Sequence, residues 1–205
     1  MFDLETRTLI MGKTKCGKSF LGRKIQDLYD RKIVIDSLGE YKDEKLIVDN
    51  LTDFINELDK LYDSGSDKFT LVYKFKLGSD DEVRLDEFNQ ICELVFKFKC
   101  LLLVIEEAQK FCNPHKIVPW FEDLLTMGRH NKIALLMTTQ KPSLIRKSIP
   151  DMCDHVLIGT IQGVNDKRYC AEFMGQDYRD FIVQPNYIFT HYHANTINTR
   201  TSDDF

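Results

Sequence analysis

A glycine-rich stretch near the start of the chain has the residue types and spacing of a phosphate-binding loop. It reads GKTKCGKS, from Gly12 to Ser19, and fits the pattern G-x-x-x-x-G-K-[ST]. Glycines let the backbone curl until its N–H groups point at phosphates, because a Cβ would obstruct the turn. Lys18 is expected to reach the terminal phosphates, and Ser19 to offer its hydroxyl to Mg²⁺. The predicted nucleotide-binding residues are Gly12, Lys13, Thr14, Lys15, Cys16, Gly17, Lys18, Ser19 and Phe20.

Two adjacent carboxylates follow an apolar run much later in the chain. The segment LLLVIEEAQKF reads as a buried strand that ends at Glu106 and Glu107. Glu106 is predicted to hold a metal ion through a water molecule, and Glu107 to polarise the attacking water. Together with the phosphate loop, the pair predicts hydrolysis of a nucleoside triphosphate.

Alternating strands and helices must position these groups. Apolar runs predict strands at 8–11, 32–37, 69–75, 101–105, 132–140, 155–160 and 185–193, and amphipathic periods predict helices at 18–30, 51–64, 79–99, 118–130 and 165–175. Phe20, Leu21, Ile25 and Leu28 are expected on one face of the first helix, and Thr52 is expected to cap the second. The pattern predicts an α/β fold with a mostly parallel sheet, helices on both faces and ligands at the carboxyl ends of the strands.

Length and composition limit the class of protein. With 205 residues, of which 43% are hydrophobic, the chain is expected to form a single domain over 1–205, without room for a separate DNA-binding domain. A net charge of −4 excludes a generally basic protein that coats nucleic acid. No signal peptide and no run of 18 apolar residues is recognisable, so we expect a cytosolic, soluble protein without a membrane span.

The cysteines and histidines give weaker signals. Six cysteines lack C-x-x-C spacing and are expected to be free thiols. Cys16 either has its pKa lowered by the positive field of the loop or is simply a small residue in a crowded turn, and the second reading is favoured. His191 and His193 could share a strand face and bind a metal, but exposed strand positions are favoured.

Four segments together resemble a known superfamily. They are GKTKCGKS, DSLGEY, LLLVIEEAQKF and MGRHNKIALLMTTQKPSLIRKSIPDMCDHVLIGT, and they resemble the FtsK/HerA superfamily of DNA-translocating P-loop ATPases from about Leu9 to Thr160. The small size is similar to that of genome-packaging ATPases of tailless icosahedral viruses with an internal membrane, turreted archaeal viruses included. The resemblance implies the additional-strand, RecA-like class of NTPase, in which another strand lies between the two motif strands.

The resemblance assigns roles to further residues. Gln140, in TTQKPS, would sense the γ-phosphate or orient the water, the alternative being a solvated strand end. Arg129, in the GR pair, would reach a neighbouring subunit's nucleotide as an arginine finger, the alternative being a cation that satisfies the end of a helix. Glu40 matches a family position near the same strand-end edge. Glu106 departs from the family pattern, which often has aspartate there.

The implied function is ATP hydrolysis with Mg²⁺, coupled to movement of double-stranded DNA into a preformed capsid. A homo-oligomeric ring of five or six subunits, a capsid or vertex protein as partner, and a place in the host cytoplasm or on the virion are implied with it. Larger family members carry DNA-guiding domains that this sequence lacks. The candidate DNA contacts are Lys74, Lys76, Lys141, Arg146 and Lys147.

Other classes of protein stay open at this point. A conjugation or secretion ATPase could use the same core. A regulatory GTPase would need N-K-x-D, whereas the segment NKIA at 131–134 lacks the acid and precedes its strand. A small-molecule kinase would need a lid segment that carries arginines, and the segment LIRKSI is only a weak match to such a lid. A scaffold that binds ATP but hardly hydrolyses it would not need Glu107.

Overall fold

The computed structural model describes residues 2–76, 78–177, 183–193 and 196–204. The strands are β1 (Arg7–Met11), β2 (Arg31–Asp36), β3 (Leu46–Val48), β4 (Phe69–Lys74), β5 (Leu101–Ile105), β6 (Cys112–Asn113), β7 (Lys116–Ile117), β8 (Ile133–Thr139), β9 (His155–Ile158), β10 (Ile188–His193) and β11 (Thr196–Thr201). The α-helices are α1 (Lys18–Gln26), α2 (Leu51–Asp63), α3 (Asp81–Phe98), α4 (Pro119–Met127), α5 (Ser148–Asp151) and α6 (Val164–Phe173). Short 3₁₀ turns cover Ala108–Lys110, Gly128–Asn131, Pro142–Leu144 and Ser202–Asp204.

Nine of these strands form one sheet in the order β11-β10-β9-β1-β8-β5-β2-β4-β3. The seven strands from β9 to β3 are parallel, and β10 and β11 extend the sheet antiparallel at one edge. The predicted mostly parallel α/β fold is confirmed. Strand β8 lies between β1 and β5, so the extra strand expected between the two motif strands is present.

Both faces of the sheet are covered by apolar side chains. Alternate residues of each strand point to opposite faces, so Leu9 and Met11 join one core cluster while Ile10 joins the other. Helices α2, α3 and α4 pack on the first face and α1 on the second. All five residues of β5 are buried, as expected for a central parallel strand. Among the described residues, no helix has the length and apolar character needed to cross a bilayer.

Two details of the first helices differ from the sequence prediction. Helix α1 ends at Gln26, so Leu28 lies beyond it and is 56% exposed, and Phe20 is 49% exposed rather than part of the buried face. Helix α2 is capped by Asn50, whose side chain accepts from the backbone N–H of Asp53 at 2.9 Å, and not by Thr52. Asn and Thr are both common caps, and the observed cap lies two residues before the predicted one.

Two strands at the edges of the main sheet and a separate two-stranded hairpin are elements that the pattern did not reveal. The three-residue strand β3, the β6–β7 hairpin and strand β11 are too short or too polar to show an apolar period. The predicted exposure of His191 is wrong, because the residue is buried and its Nε2 lies 2.9 Å from Nδ1 of His155. Within the described part of the chain, no group of three His, Cys, Asp or Glu side chains is arranged to hold a metal.

Candidate nucleotide site

The predicted site residues meet at one edge of the sheet. Gly12 follows β1, Gln140 follows β8, and Glu106 follows β5, and these three strands are adjacent and parallel. Their carboxyl ends therefore place the phosphate loop, the glutamine and the acid pair side by side. This is the edge at which parallel sheets bind their ligands.

Hydrogen bonds to both neighbouring strands fix the start of the phosphate loop. The N–H of Gly12 donates to the carbonyl of Thr139 at 3.1 Å, and the N–H of Lys13 donates to the carbonyl of Thr160 at 2.8 Å. Thr139 ends β8 and Thr160 lies just after β9, so the loop is tied to the strand on each side of β1. Further along the loop, the N–H of Cys16 donates to the carbonyl of Lys13 at 3.4 Å, which closes the turn on itself.

The interior of the loop is crowded. A Cβ on Gly12 would lie 2.7 Å from the Sγ of Cys16, closer than real contacts allow. Cys16 is completely buried, which agrees with a small residue that fits a tight turn. Gly17 has a φ of +100°, which favours glycine. Lys18 is buried and its Nζ donates to the carbonyl of Lys13 across the loop at 3.0 Å, so the ammonium already points inward.

The remaining residues of the loop face outward. Thr14, Lys15, Ser19 and Phe20 are exposed, and Ser19 lies in the first turn of α1. The backbone N–H groups at this end of α1 have no partner within the helix and add the positive end of its dipole. The loop therefore offers inward donors, a lysine ammonium and an accessible serine hydroxyl.

Glu106 lies buried beneath the loop and is held by two hydroxyl groups. Oγ1 of Thr138 donates to its Oε2 at 2.8 Å, and the hydroxyl of Tyr41 donates to its Oε1 at 3.2 Å. Burial raises the pKa of the Glu106 carboxyl, and the charges of Glu40 and Glu107 raise it further, while the two hydroxyl hydrogen bonds lower it. A cation beside this carboxylate would offset the cost of its charge.

The segment DSLGEY builds the contact between Tyr41 and Glu106. Oδ1 of Asp36 accepts from the N–H groups of three successive residues, 38–40, at 2.7 to 3.2 Å, and its Oδ2 accepts from the N–H of Tyr41 at 3.1 Å. The Tyr41 hydroxyl also accepts from Nε2 of Gln26 at 2.8 Å. Sequence reasoning singled out Glu40 here and missed Asp36 and Tyr41. An aspartate before a glycine turn was the available signal.

Glu107 is buried beside Glu106 and joined to the end of β8. Its Oε1 accepts from Nε2 of Gln140 at 2.6 Å, and its Oε2 accepts from Nε2 of Gln109 at 2.5 Å. Gln140 in turn accepts at its Oε1 from the hydroxyl of Thr14 at 2.5 Å. An unbroken chain of side-chain hydrogen bonds thus runs from the phosphate loop to Glu107. Sequence reasoning had not linked Thr14 or Gln109 to this carboxylate.

Arg129 is the predicted site residue that the fold places elsewhere. It lies in the turn before β8, at the amino end of the strands, and its Nη2 donates to both carboxylate oxygens of Asp154 at 2.9 and 3.1 Å. This is the sheet edge opposite Gln140. Arg129 therefore does not reach the nucleotide site of its own chain, and a role in a neighbouring subunit's site stays a prediction.

The candidate DNA-contacting cations differ in their surroundings. Lys74 and Lys76 are exposed near the end of β4, and Lys141 is exposed directly after Gln140. Arg146 lies 3.3 Å from Glu122, and Lys147 lies 2.6 Å from Glu172. The charges of Arg146 and Lys147 are thus partly neutralised within the chain, which makes Lys74, Lys76 and Lys141 the better candidates for phosphate contacts.

The residues present fit a magnesium nucleotide. A Cβ at Gly12 would collide with Cys16, so the tightly curled backbone of the loop requires glycine there. Oxygen donors suited to Mg²⁺ come from Ser19, which is exposed, and from Glu106, a buried acid whose pKa is raised by its burial. Lys18 supplies the positive charge that polyphosphate requires.

The fold and this arrangement define a P-loop NTPase. The chain belongs to the Zonular occludens toxin (Zot) family, whose pattern matches residues 9–173. This range holds the phosphate loop, the acid pair and Gln140. No curated protein sequence matches the chain.

Solved structures extend the likeness over nearly the whole chain. The genome packaging NTPase B204 from Sulfolobus turreted icosahedral virus 2, in complex with AMPPCP, is 20% identical with a TM-score of 0.73, covering 97% of this chain and 98% of that one. The pCW3 conjugation coupling protein TcpA, with ATPgS, is 13% identical with a TM-score of 0.62 over 98% of this chain and 61% of that one. Thermomonospora curvata EccC is 14% identical with a TM-score of 0.58, covering 98% and 37%. The predicted likeness to turreted-virus packaging ATPases is confirmed for the fold.

Proposed function

We propose that the chain hydrolyses ATP and uses the energy to move double-stranded DNA into a viral capsid. The observation that carries the hydrolytic part is the hydrogen-bonded path from Thr14 through Gln140 to Glu107, which joins the phosphate loop to a buried carboxylate. A protein that only binds nucleotide does not need a carboxylate held beside the terminal phosphate.

In this proposal each residue has one task. Lys18 and the backbone of residues 12–17 bind the phosphates, while Ser19 and Glu106 would hold Mg²⁺. Bound Mg²⁺ supplies charge neutralisation on the phosphate oxygens. Glu107 orients the attacking water and accepts its proton, since its two oxygens are fixed in direction by Gln140 and Gln109. Thr14 donates a hydrogen bond to Gln140 and so fixes its position, and Gln140 in turn holds the carboxylate of Glu107 in line with the phosphate loop.

The coupling to DNA is supported by the likeness to the packaging NTPase B204, which spans nearly all of both chains. We propose a homo-oligomeric ring of five or six subunits, in which Arg129 serves a neighbour's site and Lys74, Lys76 and Lys141 face the DNA. A single ATPase domain over residues 1–205 and a place in the host cytoplasm or on the virion belong to the same proposal. A capsid or vertex protein would be the docking partner.

The test is ATP hydrolysis by the purified protein with and without long double-stranded DNA. We expect DNA to stimulate turnover, and Glu107→Gln to abolish it while ATP still binds. Glu57→Gln is the matched control, because Glu57 lies on α2 and pairs with Lys60 away from the site. A rate of ATP hydrolysis that does not change when DNA is added would contradict the proposed DNA motor. A preference for GTP over ATP would favour a regulatory GTPase.

A second candidate is a motor for conjugation or secretion, favoured by the likeness to TcpA and to EccC. The packaging motor and the conjugation or secretion motor would share the same ATPase chemistry. They would differ in the protein to which the ring docks. Co-purification with a major capsid protein encoded beside the gene would support packaging. Neighbouring genes for mating-pair formation would favour transfer between cells.

A further inference from the structure

Tyr187, which precedes β10, is fixed against the phosphate loop. Its N–H donates to the carbonyl of Cys16 at 2.8 Å, and its own carbonyl accepts from the N–H of Ser202 at 3.1 Å. Two main-chain hydrogen bonds thus hold this residue, one to the loop and one to the turn after β11. The backbone from which the ring projects is therefore held beside the loop.

The ring of Tyr187 occupies the space beside Gly17. A Cβ on Gly17 would lie 2.7 Å from Cδ1 of Tyr187, so any side chain there would have to displace the ring. Gly17 is therefore required both by its positive φ and by the neighbouring aromatic.

Phe20 completes an aromatic pair. Its ring lies 6.3 Å from that of Tyr187, nearly perpendicular at 81°, and the two side chains remain 49% and 53% exposed. Nζ of Lys24 sits 5.2 Å from the Phe20 ring and is itself bonded to Asp203 at 2.8 Å. Two half-exposed rings beside a phosphate loop form an apolar surface that water covers poorly.

The order of the strands decides which end of a nucleotide would meet these rings. Gln140 and Glu107 follow β8 and β5, on one side of β1, and they must face the terminal phosphate that is cleaved. The nucleoside end then has to leave the loop on the other side, toward β9 and β10. Tyr187 stands on that side, next to the first turn of α1.

We propose that Tyr187, with Phe20 at its edge, forms the surface on which the base of the bound nucleotide stacks. The proposal rests on the proposed function, because it places the base of the nucleotide that the site hydrolyses. Every base presents a π-face, so stacking gives affinity without strong choice between adenine and guanine. The rings would thus set the affinity for purine nucleotides and leave the phosphate contacts unchanged.

Isothermal titration calorimetry with Mg-ATP and with magnesium tripolyphosphate separates base contacts from phosphate contacts. We expect Tyr187→Ala to weaken ATP binding by roughly 5- to 150-fold, the range that loss of one base–aromatic stack produces. Tripolyphosphate lacks a base, so its affinities for the wild type and for Tyr187→Ala should agree within about twofold. Tyr187→Phe keeps the ring and should bind ATP like the wild type.

Tyr62→Ala is the control for removal of an exposed aromatic, because Tyr62 is 73% exposed on α2, away from the loop. If Tyr187→Ala weakens both ligands equally, the ring shapes the loop and does not meet the base, and the proposal is wrong. It is also wrong if neither affinity changes. If the wild type binds neither ligand, the proposed ATPase function itself fails.

Discussion

Gln140 donates from Nε2 to Oε1 of Glu107 at 2.6 Å while its Oε1 accepts the hydroxyl of Thr14 at 2.5 Å. One amide therefore spans the distance between the phosphate loop and the carboxylate that we assign to the attacking water. Because Gln140 directly follows β8, which pairs with β1 on one side and β5 on the other, the sheet itself sets this spacing. Movement of Thr14 on phosphate binding would be transmitted to Glu107 through two hydrogen bonds.

The first prediction concerns this amide. Gln140→Ala should lower kcat for ATP by about 10- to 100-fold, which is the loss expected when a catalytic carboxylate loses its positioning but remains present. The affinity for ATP should change by less than about threefold, because Lys18 and the loop backbone hold the phosphates. Steady-state kinetics and a binding titration check the two parts separately.

Gln90→Ala is the matched control for this variant. Gln90 is exposed on α3 and bonds Asp86 at 2.8 Å, so its loss removes an amide without touching the site. An equal fall in affinity and in kcat for Gln140→Ala would mean that Gln140 acts mainly in binding.

The parts of the site that are built from residues adjacent in the sequence could be predicted from the sequence alone. The phosphate loop from Gly12 to Ser19 and the acids Glu106 and Glu107 carry their chemistry in adjacent residues, so a short pattern reveals them. The alternation of apolar runs and amphipathic periods likewise gave the parallel sheet. Gln140 came only through resemblance, since a glutamine at a strand end has no distinctive pattern of its own.

The remaining contacts depend on the fold. Tyr41 reaches Glu106 only because β2 and β5 are neighbours, and Tyr187 reaches Cys16 across most of the chain length. Neither contact produces a recognisable pattern of residues in the sequence. The burial of His191 was missed for the same reason, because His191 contacts His155 of the neighbouring strand β9, which lies 36 residues away in the sequence.

The second prediction concerns pH. Burial lowers the pKa of His155 to about 4, and the charge of His193 lowers it further. Burial also lowers the pKa of His191 to about 4, with His155, Arg200 and His193 adding to the shift, while Asp154 opposes it at His155. The unfolded chain binds these protons more tightly, so stability is complete above about pH 6.5 and is lost as pH falls toward 4.

We therefore expect the wild-type Tm to fall between pH 6.5 and 4.5 more steeply than that of His191→Gln. Between pH 6.5 and 4.5, the wild type should lose about 1–2 kcal/mol more of its free energy of unfolding than His191→Gln does, after a discount for solvent screening near the sheet edge. Thermal unfolding followed by circular dichroism across this range is the measurement. The control is His115→Gln, at an exposed position on the β6–β7 turn, and its Tm should follow the wild-type curve. Parallel curves for His191→Gln as well would contradict the assignment.

The third prediction concerns Arg129, which binds Asp154 at the sheet edge opposite the site. Both side chains are partly exposed, at 39% and 29%, so breaking the pair should cost no more than about 1 kcal/mol of stability. If Arg129 serves a neighbouring subunit, Arg129→Ala should reduce turnover of the assembled protein by about 10³-fold or more. Asp154→Asn, which removes the charge that pairs with the arginine but leaves the arginine itself, should keep turnover.

Mixing two inactive variants tests the action between subunits directly. Lys18→Ala loses the phosphate contact but retains Arg129, and Arg129→Ala retains an intact nucleotide site. In a mixed ring, a Lys18→Ala subunit can supply its arginine to an Arg129→Ala neighbour, so ATP turnover should reappear on mixing. If Arg129→Ala is inactive and mixing restores no turnover, Arg129 does not act in a neighbouring site. If Arg129→Ala instead keeps its turnover and lowers Tm as much as Asp154→Asn does, Arg129 serves only to bind Asp154 within its own chain.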